Sequence, residues 1–376
     1  MRTTILATSL IALAAAPAFA GGVERSNQSM AILFERGNYL EFGASYSMPR
    51  VSGVANPLLG GQGSGIMSQN FWNLDLRFKG QINEQLSYAV ILDQPIGANV
   101  AYPMGTGYPI AGSEGTISST ALTGVVRYAF DGGLSVYGGV RAVRTSGSVN
   151  LTVPTIGGPE FYTMSTNQHM AYGYLVGAAY EVPAIAARVS LTYNSRITHN
   201  FSSVETFTQD VGPIAAGTPF NSTFRTTIPE SLHLEFQTGI MEDTLLFGGV
   251  RWVRWSQFDI SPTMFNLISG GGSLVDYTKP TTTYTLGVGR RFNENWSGAV
   301  TVSHEPKVGG ISGNLGPTDG FWAVGLGATY TMDNVKISGG LQYRWIGSAT
   351  TQIGGFNNSF NGNSAISAGM RVGVSF

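Results

Sequence analysis

Apolar and polar side chains alternate along most of this chain of 376 residues. The clearest example is residues 367–376, where the alternation continues up to a terminal aromatic residue, Phe376. Alternation with a period of two indicates a β-strand whose two faces meet different surroundings. A strand that ends on an aromatic residue is typical of a membrane interface.

Fourteen segments alternate in this way, and they are connected alternately by short turns and by long loops. The segments are residues 38–48, 68–79, 86–93, 117–130, 134–146, 168–180, 187–198, 223–239, 244–259, 281–292, 296–304, 321–331, 335–346 and 365–376. Short turns on one side and long loops on the other are characteristic of outer-membrane β-barrels. The pattern predicts an all-β fold, a 14-stranded antiparallel transmembrane β-barrel, whose even strand number places both termini on the periplasmic side.

The phase of the last strand assigns the faces of the barrel. Counting back by twos from Phe376 places Met370 towards lipid and Arg371 towards the interior. The same alternation on the second segment points Leu74 outward and Arg77 inward. A charge on the lipid face at mid-membrane costs about 2–4 kcal/mol, so charged residues are expected inside.

Residues 1–20 have the features of a secretory signal peptide: one basic residue, a short apolar run and the small-residue pattern Ala18-Phe19-Ala20. The apolar run is too short to span a bilayer as a helix. Residues 21–37 follow and contain an apolar patch that we expect to insert into the barrel as a short plug. Its residues are Met30, Ile32, Leu33 and Phe34. Three parts are therefore predicted: a signal peptide (1–20), a plug (21–37) and a barrel (38–376).

The composition agrees with a membrane barrel. Charged residues make up 11% of the chain, well below the average of about 25%. No window of 18 apolar residues occurs, so helical spans are not expected. The absence of cysteine excludes a disulfide framework. The net charge of −1, or −2 once Arg2 is removed, indicates no nucleic-acid partner. The alternative folds are a soluble secreted β-sandwich and a β-helix.

Two of the long connections, residues 147–167 and 199–222, are unusually apolar. Exposed apolar loops are unfavourable in water unless they pack together or meet an apolar partner. One interpretation is a satellite core that caps the barrel, and the other is an entrance groove that binds an apolar molecule. The candidate ligand-binding residues are Phe161, Tyr162, Met164, Phe201, Phe207 and Phe220.

Three short motifs carry a family resemblance: the segment from Leu92 to Tyr102, Trp255-Ser256-Gln257-Phe258, and Phe292-Asn293-Glu294-Asn295-Trp296. Together with fourteen strands and the terminal Phe376, they resemble the long-chain fatty acid transporters of the outer membrane and their aromatic-hydrocarbon-importing relatives. The resemblance extends over essentially the whole mature chain. It implies uptake of hydrophobic molecules by diffusion, with capture between the third and fourth extracellular loops, a pocket inside the barrel and lateral exit. The alternative function is a general diffusion porin for small polar solutes.

The resemblance places the lateral gate where the third strand kinks, at Asp93, Gln94, Pro95, Ile96 and Gly97. Pro95 lacks the N–H that a strand ladder needs, and Gly97 permits a bend, so these residues themselves are compatible with a break in the strand. Ordinary loop chemistry at a strand end is the alternative. The chain departs from the family in lacking the longer amino-terminal hatch with its Asn-Pro-Ala segment, so hatch-driven release is not carried over.

A fatty acid needs a cation or several donors for its carboxylate, because an unpaired charge in an apolar pocket is unfavourable. Arg141 on the fifth strand and Arg144 near its loop end are the candidates. The alternative is that arginines inside the barrel pair with Glu41, Asp75 and Glu235. A hydrocarbon needs no cation.

No catalytic residue, cofactor or metal site is predicted. The histidines lack any recognisable ligand spacing, and Ser303-His304-Glu305 cannot form a triad because neighbours on a strand face opposite sides. The expected partners are a hydrophobic small molecule (a fatty acid or hydrocarbon), outer-membrane lipid and lipopolysaccharide, and the barrel assembly machinery through Phe376. A monomer in the outer membrane of a Gram-negative bacterium is expected.

Overall fold

The computed structural model describes residues 22–155, 158–210 and 212–376, with the side chains of residues 153–155 and 158–160 left aside. The predicted signal peptide lies outside the described residues. The strands of the first half are β1 Tyr39–Arg50, β2 Phe71–Gln81, β3 Leu86–Asp93, β4 Gly97–Ala101, β5 Glu114–Ala129, β6 Leu134–Thr155, β7 Gly158–Thr166, β8 His169–Val182, β9 Ala187–Asn194, β10 Ile197–Phe207 and β11 Phe220–Ile228. Those of the second half are β12 Ser231–Met241, β13 Thr244–Val253, β14 Asp259–Ile260, β15 Val275–Asp276, β16 Thr281–Arg291, β17 Trp296–Glu305, β18 Phe321–Met332, β19 Val335–Ile346, β20 Ala349–Ile353, β21 Phe356–Phe360 and β22 Ser364–Ser375. A short helix, α1, spans Thr263–Ile268.

The strands close into a barrel of fourteen antiparallel neighbours, β1–β2–β3–β5–β6–β8–β9–β12–β13–β16–β17–β18–β19–β22. The first and last strands complete the circle, pairing from Tyr39↔Ser375 to Arg50↔Ser364. Closure gives each of the fourteen strands a neighbour on both sides, and pairing of this kind is what lets barrels cross a membrane. The predicted 14-stranded antiparallel barrel is confirmed.

Side chains follow the predicted alternation of faces. On β19, Leu341 is 62% exposed on the outside, whereas its neighbour Gln342 is 6% exposed and faces inward. On β2, Leu74 faces outward and Arg77 is buried inside. Exposed aromatic residues form a belt near each end of the barrel, as membrane interfaces favour. We call them the loop-end belt (including Trp72, Tyr172, Tyr174, Trp322 and Trp345) and the turn-end belt (including Tyr128, Tyr180, Trp296 and Phe376).

Several predicted boundaries were wrong at the loop end, because strands continue beyond the membrane. Residues 147–167 were expected to be a loop, yet β6 runs on to Thr155 and β7 returns beside it. Residues 199–222 likewise contain most of β10 and the start of β11, which pair from Ile197↔Ile228 to Glu205↔Phe220. The predicted strand 223–239 is interrupted at Pro229, which cannot donate a ladder hydrogen bond.

The described part of the chain has no helix that is long and apolar enough to cross a membrane.

Candidate ligand-binding site and lateral window

The amino-terminal segment, residues 22–37, runs inside the barrel. The four predicted plug residues, Met30, Ile32, Leu33 and Phe34, are all buried against the inner faces of β3, β5, β6 and β8. The Phe34 ring has the guanidinium groups of Arg127 and Arg188 at 4.6 and 4.2 Å from its centre. Such cation–π contacts stabilise an aromatic ring in a polar lumen.

Charged groups fix this segment to the barrel wall. Glu24 is buried and accepts two hydrogen bonds of 3.1 Å from Nε of Arg251 on β13, and a further bond from Nη2. Nearer the turn end, Ser29 donates to Glu235 at 2.6 Å and Lys336 donates to Glu35 at 2.9 Å. A buried charge is tolerated when it is paired in this way.

The third strand is interrupted beside the amino-terminal segment. β3 ends at Asp93 and β4 begins at Gly97, while the β2–β3 pairing stops at Leu76↔Leu92. The residues between the two strands turn into the barrel, where Pro95 O accepts from Arg25 N and Gly97 N donates to Val23 O, both at 2.9 Å. The amino-terminal segment therefore replaces β2 as the partner of this part of the chain.

A window in the barrel wall results. Residues 71–75 of β2 have no strand partner on the β3 side among the residues that the structure describes. Beyond the window the wall closes again, since Gln69 N donates to Asn99 O at 3.0 Å. One bond crosses the window, from Leu74 N to Oε1 of Gln94 at 3.3 Å. The predicted gate residues Asp93, Gln94, Pro95, Ile96 and Gly97 all lie along one edge of this window.

Arg25 fills the inner side of the window. Its guanidinium lies 4.1 Å from the centre of the Phe71 ring, and its carbonyl accepts a 2.7 Å bond from Asn73. A methyl group at Gly97 would overlap this guanidinium. Glycine at position 97 therefore lets the arginine lie across the opening.

An apolar cavity of about 800 Å³ lies on the loop side of the amino-terminal segment, and we call it the first cavity. Val23 and Ile96 form its floor, and its walls include Phe201, Phe224 and Leu274. No Lys, Arg, Asp or Glu lines it among the described residues. Within the described part of the chain, its titratable side chains are those of His199 and Tyr277.

The structure brings some of the predicted ligand-binding residues to this cavity and not others. Met164 and Phe201 line it. Tyr162 and Phe207 are buried in the same apolar cluster, with ring centres 5.7 Å apart. Phe161 is half exposed on the outer surface. The sixth residue, Phe220, is partly buried near the tip of the β10–β11 hairpin.

Neither predicted arginine lines the first cavity. Arg141 is buried beneath the floor, where it interacts electrostatically with Asp93 and Glu24. Arg144 is exposed on the outer face of β6, opposite Thr120 and Met170. Arg144 therefore points away from the lumen, because β6 continues without a break and its alternation is preserved.

A buried carboxylate holds the cavity roof together. Glu205 on β10 is fully buried and accepts bonds from Tyr162 Oη at 2.8 Å and Ser222 Oγ at 2.5 Å. It also accepts the backbone N–H groups of Met264 and Phe265 in the first turn of α1, both at 3.0 Å. A carboxylate at this position satisfies N–H groups that a helix start leaves without partners. Sequence reasoning missed Glu205, although a lone carboxylate in an apolar stretch was a visible signal.

Two histidines meet at the cavity wall beyond the loop-end belt. The Nδ1 atoms of His169 and His199 are 3.3 Å apart, and His199 stacks on Phe201 with ring centres 5.4 Å apart. Burial, and secondarily the neighbouring His169, lower the pKa of His199 to about 4. The cavity is therefore uncharged at neutral pH.

A second cavity of about 790 Å³ lies between the first cavity and the window. Phe71, Gly97 and Asn99 line its window side. Unlike the first cavity it carries charged side chains, among them Arg25 and Arg344.

A third, polar cavity of about 770 Å³ adjoins the window towards the turn end. Two of its arginines are paired with carboxylates, since Arg77 Nε lies 2.8 Å from Asp75 Oδ1 and Arg371 Nε lies 3.2 Å from Glu41 Oε1. Within the described residues, no group of three or more His, Cys, Asp or Glu side chains is arranged to hold a metal ion.

Comparisons with known proteins agree with this architecture. The family model of outer membrane transport proteins (OMPP1/FadL/TodX) matches residues 45–370. A FadL homologue of Pseudomonas aeruginosa has a similar fold, with a TM-score of 0.75 and 14% identity over 92% of each chain. The toluene transporter TodX of Pseudomonas putida has a TM-score of 0.67 and 13% identity, covering 96% of this chain and 98% of its own. The toluene transporter TbuX of Ralstonia pickettii has a TM-score of 0.61 and 13% identity, covering 92% and 90%. A search of curated proteins finds no match.

Proposed function

Because the chain belongs to the family of outer membrane transport proteins (OMPP1/FadL/TodX), whose members are channels for hydrophobic substrates, we propose that it takes up uncharged hydrocarbons by diffusion. The cargo we propose has a single aromatic ring or a short alkyl chain. No catalytic step is part of the proposal. Two of the proteins with a similar fold are toluene transporters, and that activity supports the proposal without extending to this chain by itself.

The uncharged lining of the first cavity is the observation that carries the proposal. Each methylene of a ligand buried there gains about 0.8 kcal/mol. An ionised carboxylate in the same place loses its water and finds no cation, which is strongly unfavourable.

The route we propose has three steps. A ligand first contacts the apolar tips of the loop-end hairpins, where Phe161 and Phe220 lie. It then enters the first cavity beside Met164 and Phe201, with Tyr162 and Phe207 packed in the surrounding wall. It leaves sideways through the window at residues 93–97, because an apolar molecule is more stable in lipid than in periplasmic water.

Residues 22–37 act as the plug in this proposal. They occupy the lumen that a general diffusion porin would keep open for water, and Met30, Ile32, Leu33 and Phe34 are buried in it. A porin therefore fits this barrel less well than a channel with a lateral exit.

A long-chain fatty acid is the second candidate, and one observation favours it. Arg25 and Arg344 line the second cavity together with Glu305, so a chain lying in the first cavity with its carboxylate in the second would meet two guanidinium groups and one carboxylate. Arg141 remains beneath the floor. It reaches such a ligand only if the amino-terminal segment moves.

The pH dependence of carboxylate binding separates the two candidates. Protein kept in amphipol is titrated with radiolabelled toluene and with radiolabelled octanoic acid between pH 6 and pH 8. An alkyl carboxylic acid ionises near the pKa of a glutamate side chain, about 4.3. If only its neutral form binds, the affinity for octanoic acid falls by about 100-fold over this range, one factor of ten for each pH unit. Toluene affinity stays constant, because His199 does not titrate there.

Phe224→Ala serves as the cavity variant and Phe292→Ala, at an exposed residue of a turn at the other end of the barrel, as the matched surface control. Saturable toluene binding that weakens in the first variant and not in the second supports the proposal. Octanoic acid binding that is independent of pH between 6 and 8 favours a long-chain fatty acid as the cargo. Absence of saturable binding of either molecule contradicts uptake of hydrophobic cargo.

The remaining assignments concern the surroundings of the barrel. We propose a monomer in a Gram-negative outer membrane with both termini in the periplasm, since the first and last strands pair with each other rather than with another copy. Phe376 in the turn-end belt is the proposed contact for the barrel assembly machinery. Outer-leaflet lipid and lipopolysaccharide are the proposed neighbours of the loop-end belt, where Arg144 and Arg225 are exposed on the outer face.

A further inference from the structure

The first and second cavities meet at a partition. Five residues line both cavities: Val23, Ala98, Val100, Tyr277 and Leu315. Only the second cavity extends to Phe71 and Gly97 at the window. A ligand that travels inside the barrel from the first cavity to the window therefore passes this partition.

Leu315 belongs to the connection between β17 and β18, which turns into the barrel from the loop end. The residue before it is fixed on two sides, because Asn314 O accepts a 2.5 Å bond from Tyr102 Oη and Asn314 Nδ2 donates to Gln352 O at 2.8 Å. Further along, Asp319 accepts the N–H groups of Val308 and Gly309 at 2.8 and 2.9 Å. Leu315 thus stands on a braced backbone, and its own side chain is the movable part.

Tyr277 forms the neighbouring part of the partition. Its ring packs against Trp255 and Phe258, with ring centres 5.3 and 5.7 Å away. Two glycines lie next to the pair. A methyl group at Gly316 would lie 3.6 Å from the Tyr277 hydroxyl, and one at Gly115 would lie 3.6 Å from Leu315 Cδ1, both ordinary van der Waals contacts. Leu315 packs against the apolar cluster around the first cavity but is only partly buried, and a partly exposed side chain changes rotamer readily.

We propose that Leu315 determines which hydrophobic molecules pass from the first cavity to the second. This inference rests on the proposed function. A leucine side chain, four carbons of flexible apolar surface, yields to a single ring or an alkyl chain. A larger side chain at position 315 closes the passage while leaving the first cavity able to hold its ligand, and a smaller one admits fused rings.

The experiment compares binding with uptake. Radiolabelled toluene and naphthalene are titrated against purified protein in amphipol, and their uptake is measured in intact cells of a host that lacks related transporters. Because Leu315 also lines the first cavity, Leu315→Trp is expected to weaken toluene binding somewhat, and to lower uptake by about tenfold or more beyond that loss of binding, the scale on which pockets discriminate size. Leu315→Ala is expected to raise naphthalene uptake about tenfold relative to toluene. Ile311→Trp, on an exposed residue of the same connection, is the matched control and changes neither quantity.

The outcomes separate the two proposals. If wild type binds no toluene, the proposed function fails, and the partition fails with it. If wild type binds and transports toluene but both Leu315 variants behave like Ile311→Trp, only the partition is overturned. Equal losses of binding and uptake in Leu315→Trp, together with an unchanged naphthalene preference in Leu315→Ala, also overturn it, since they indicate a structural role.

Discussion

Replacing Glu24 by glutamine is expected to release the amino-terminal segment from the barrel wall. In the native structure Glu24 and Arg251 are both buried, and Arg251 Nε lies 3.1 Å from each carboxylate oxygen. Glutamine has the same shape but no charge. Arg251 would then keep its positive charge next to a neutral amide, with the like charge of Arg141 nearby.

The size of the effect follows from the burial of the pair. Removing one partner of a buried ion pair destabilises a protein by about 3–5 kcal/mol. We expect the lower value, about 3 kcal/mol, because the glutamine carbonyl still accepts one bond from Arg251. The strands of the barrel remain paired. The substitution therefore lowers the free energy of local opening of residues 22–26 and not the free energy of global unfolding. A change of 3 kcal/mol multiplies the open population by about 150.

Amide hydrogen exchange measures this local opening directly. The Arg25 and Gly97 amides, which bond to Pro95 and Val23, are expected to exchange about 100-fold faster in Glu24→Gln than in wild type. Amides of the β1–β22 pairing report on the barrel and stay unchanged. The double variant Glu24→Gln/Arg251→Met removes both charges and recovers most of the protection.

The matched control is Glu230→Gln, which breaks the ion pair with the half-exposed Arg254, 3.0 Å away. An exposed pair of this kind contributes about 0–1 kcal/mol, so its loss leaves the amino-terminal amides unaffected. A change of less than about threefold in Glu24→Gln would refute the reasoning, since 3 kcal/mol corresponds to far more. Equal acceleration in the two variants would point to a general effect of charge.

Two further predictions concern the cavity roof and its wall. Glu205→Gln is expected to destabilise the contact between β10 and α1 by about 2 kcal/mol, because bonds to a charged acceptor are lost. Faster hydrogen exchange at the Met264 and Phe265 amides would measure this change. Unchanged exchange rates would contradict the prediction. Lowering the pH from 6.5 to 4 is expected to destabilise the cavity wall, because the lowered pKa of His199, about 4, means that the unfolded wall binds more protons in this window. The wall loses at most about 1.4 kcal/mol of stability per pH unit, and the fall in toluene affinity measures this loss. The fall is expected to be absent in His199→Phe. An equal fall in that variant would assign the effect to another group.

The barrel could be predicted from the sequence because its signal repeats along the whole chain. Alternation, the succession of turns and loops, and the terminal Phe376 together gave the strand number and both faces. The loop-end boundaries could not be predicted, because the strands continue beyond the membrane with the same alternation. Nothing in residues 147–155 marks the point where lipid gives way to a packed roof. For the same reason Arg144 was wrongly expected to reach the lumen.

The contacts of the candidate site depend on pairs that are distant in the chain. Glu24 and Arg251 are 227 residues apart, and Glu205 meets the start of α1 almost 60 residues later. No local pattern encodes which of several inward carboxylates meets which inward arginine. The break at residues 93–97 could be predicted, because Pro95 and Gly97 restrict or free the local backbone. It could not be predicted that the amino-terminal segment, and not β2, pairs with these residues.

One short segment connects all three cavities, and this limits how the protein can work. Val23 forms the floor of the first cavity, Arg25 lines both the second and the polar cavity, and Ser26 lines the polar cavity and donates to Asp93 at the window edge. Displacing Val23 therefore pulls on the Glu24–Arg251 pair and on the backbone bonds to Pro95 and Gly97. A ligand that enlarges the first cavity at its floor acts on the window through the same four residues. Val23 also lines the partition beside Leu315, so weakening the Glu24 anchor and widening the partition are expected to act on the same passage and to affect uptake non-additively.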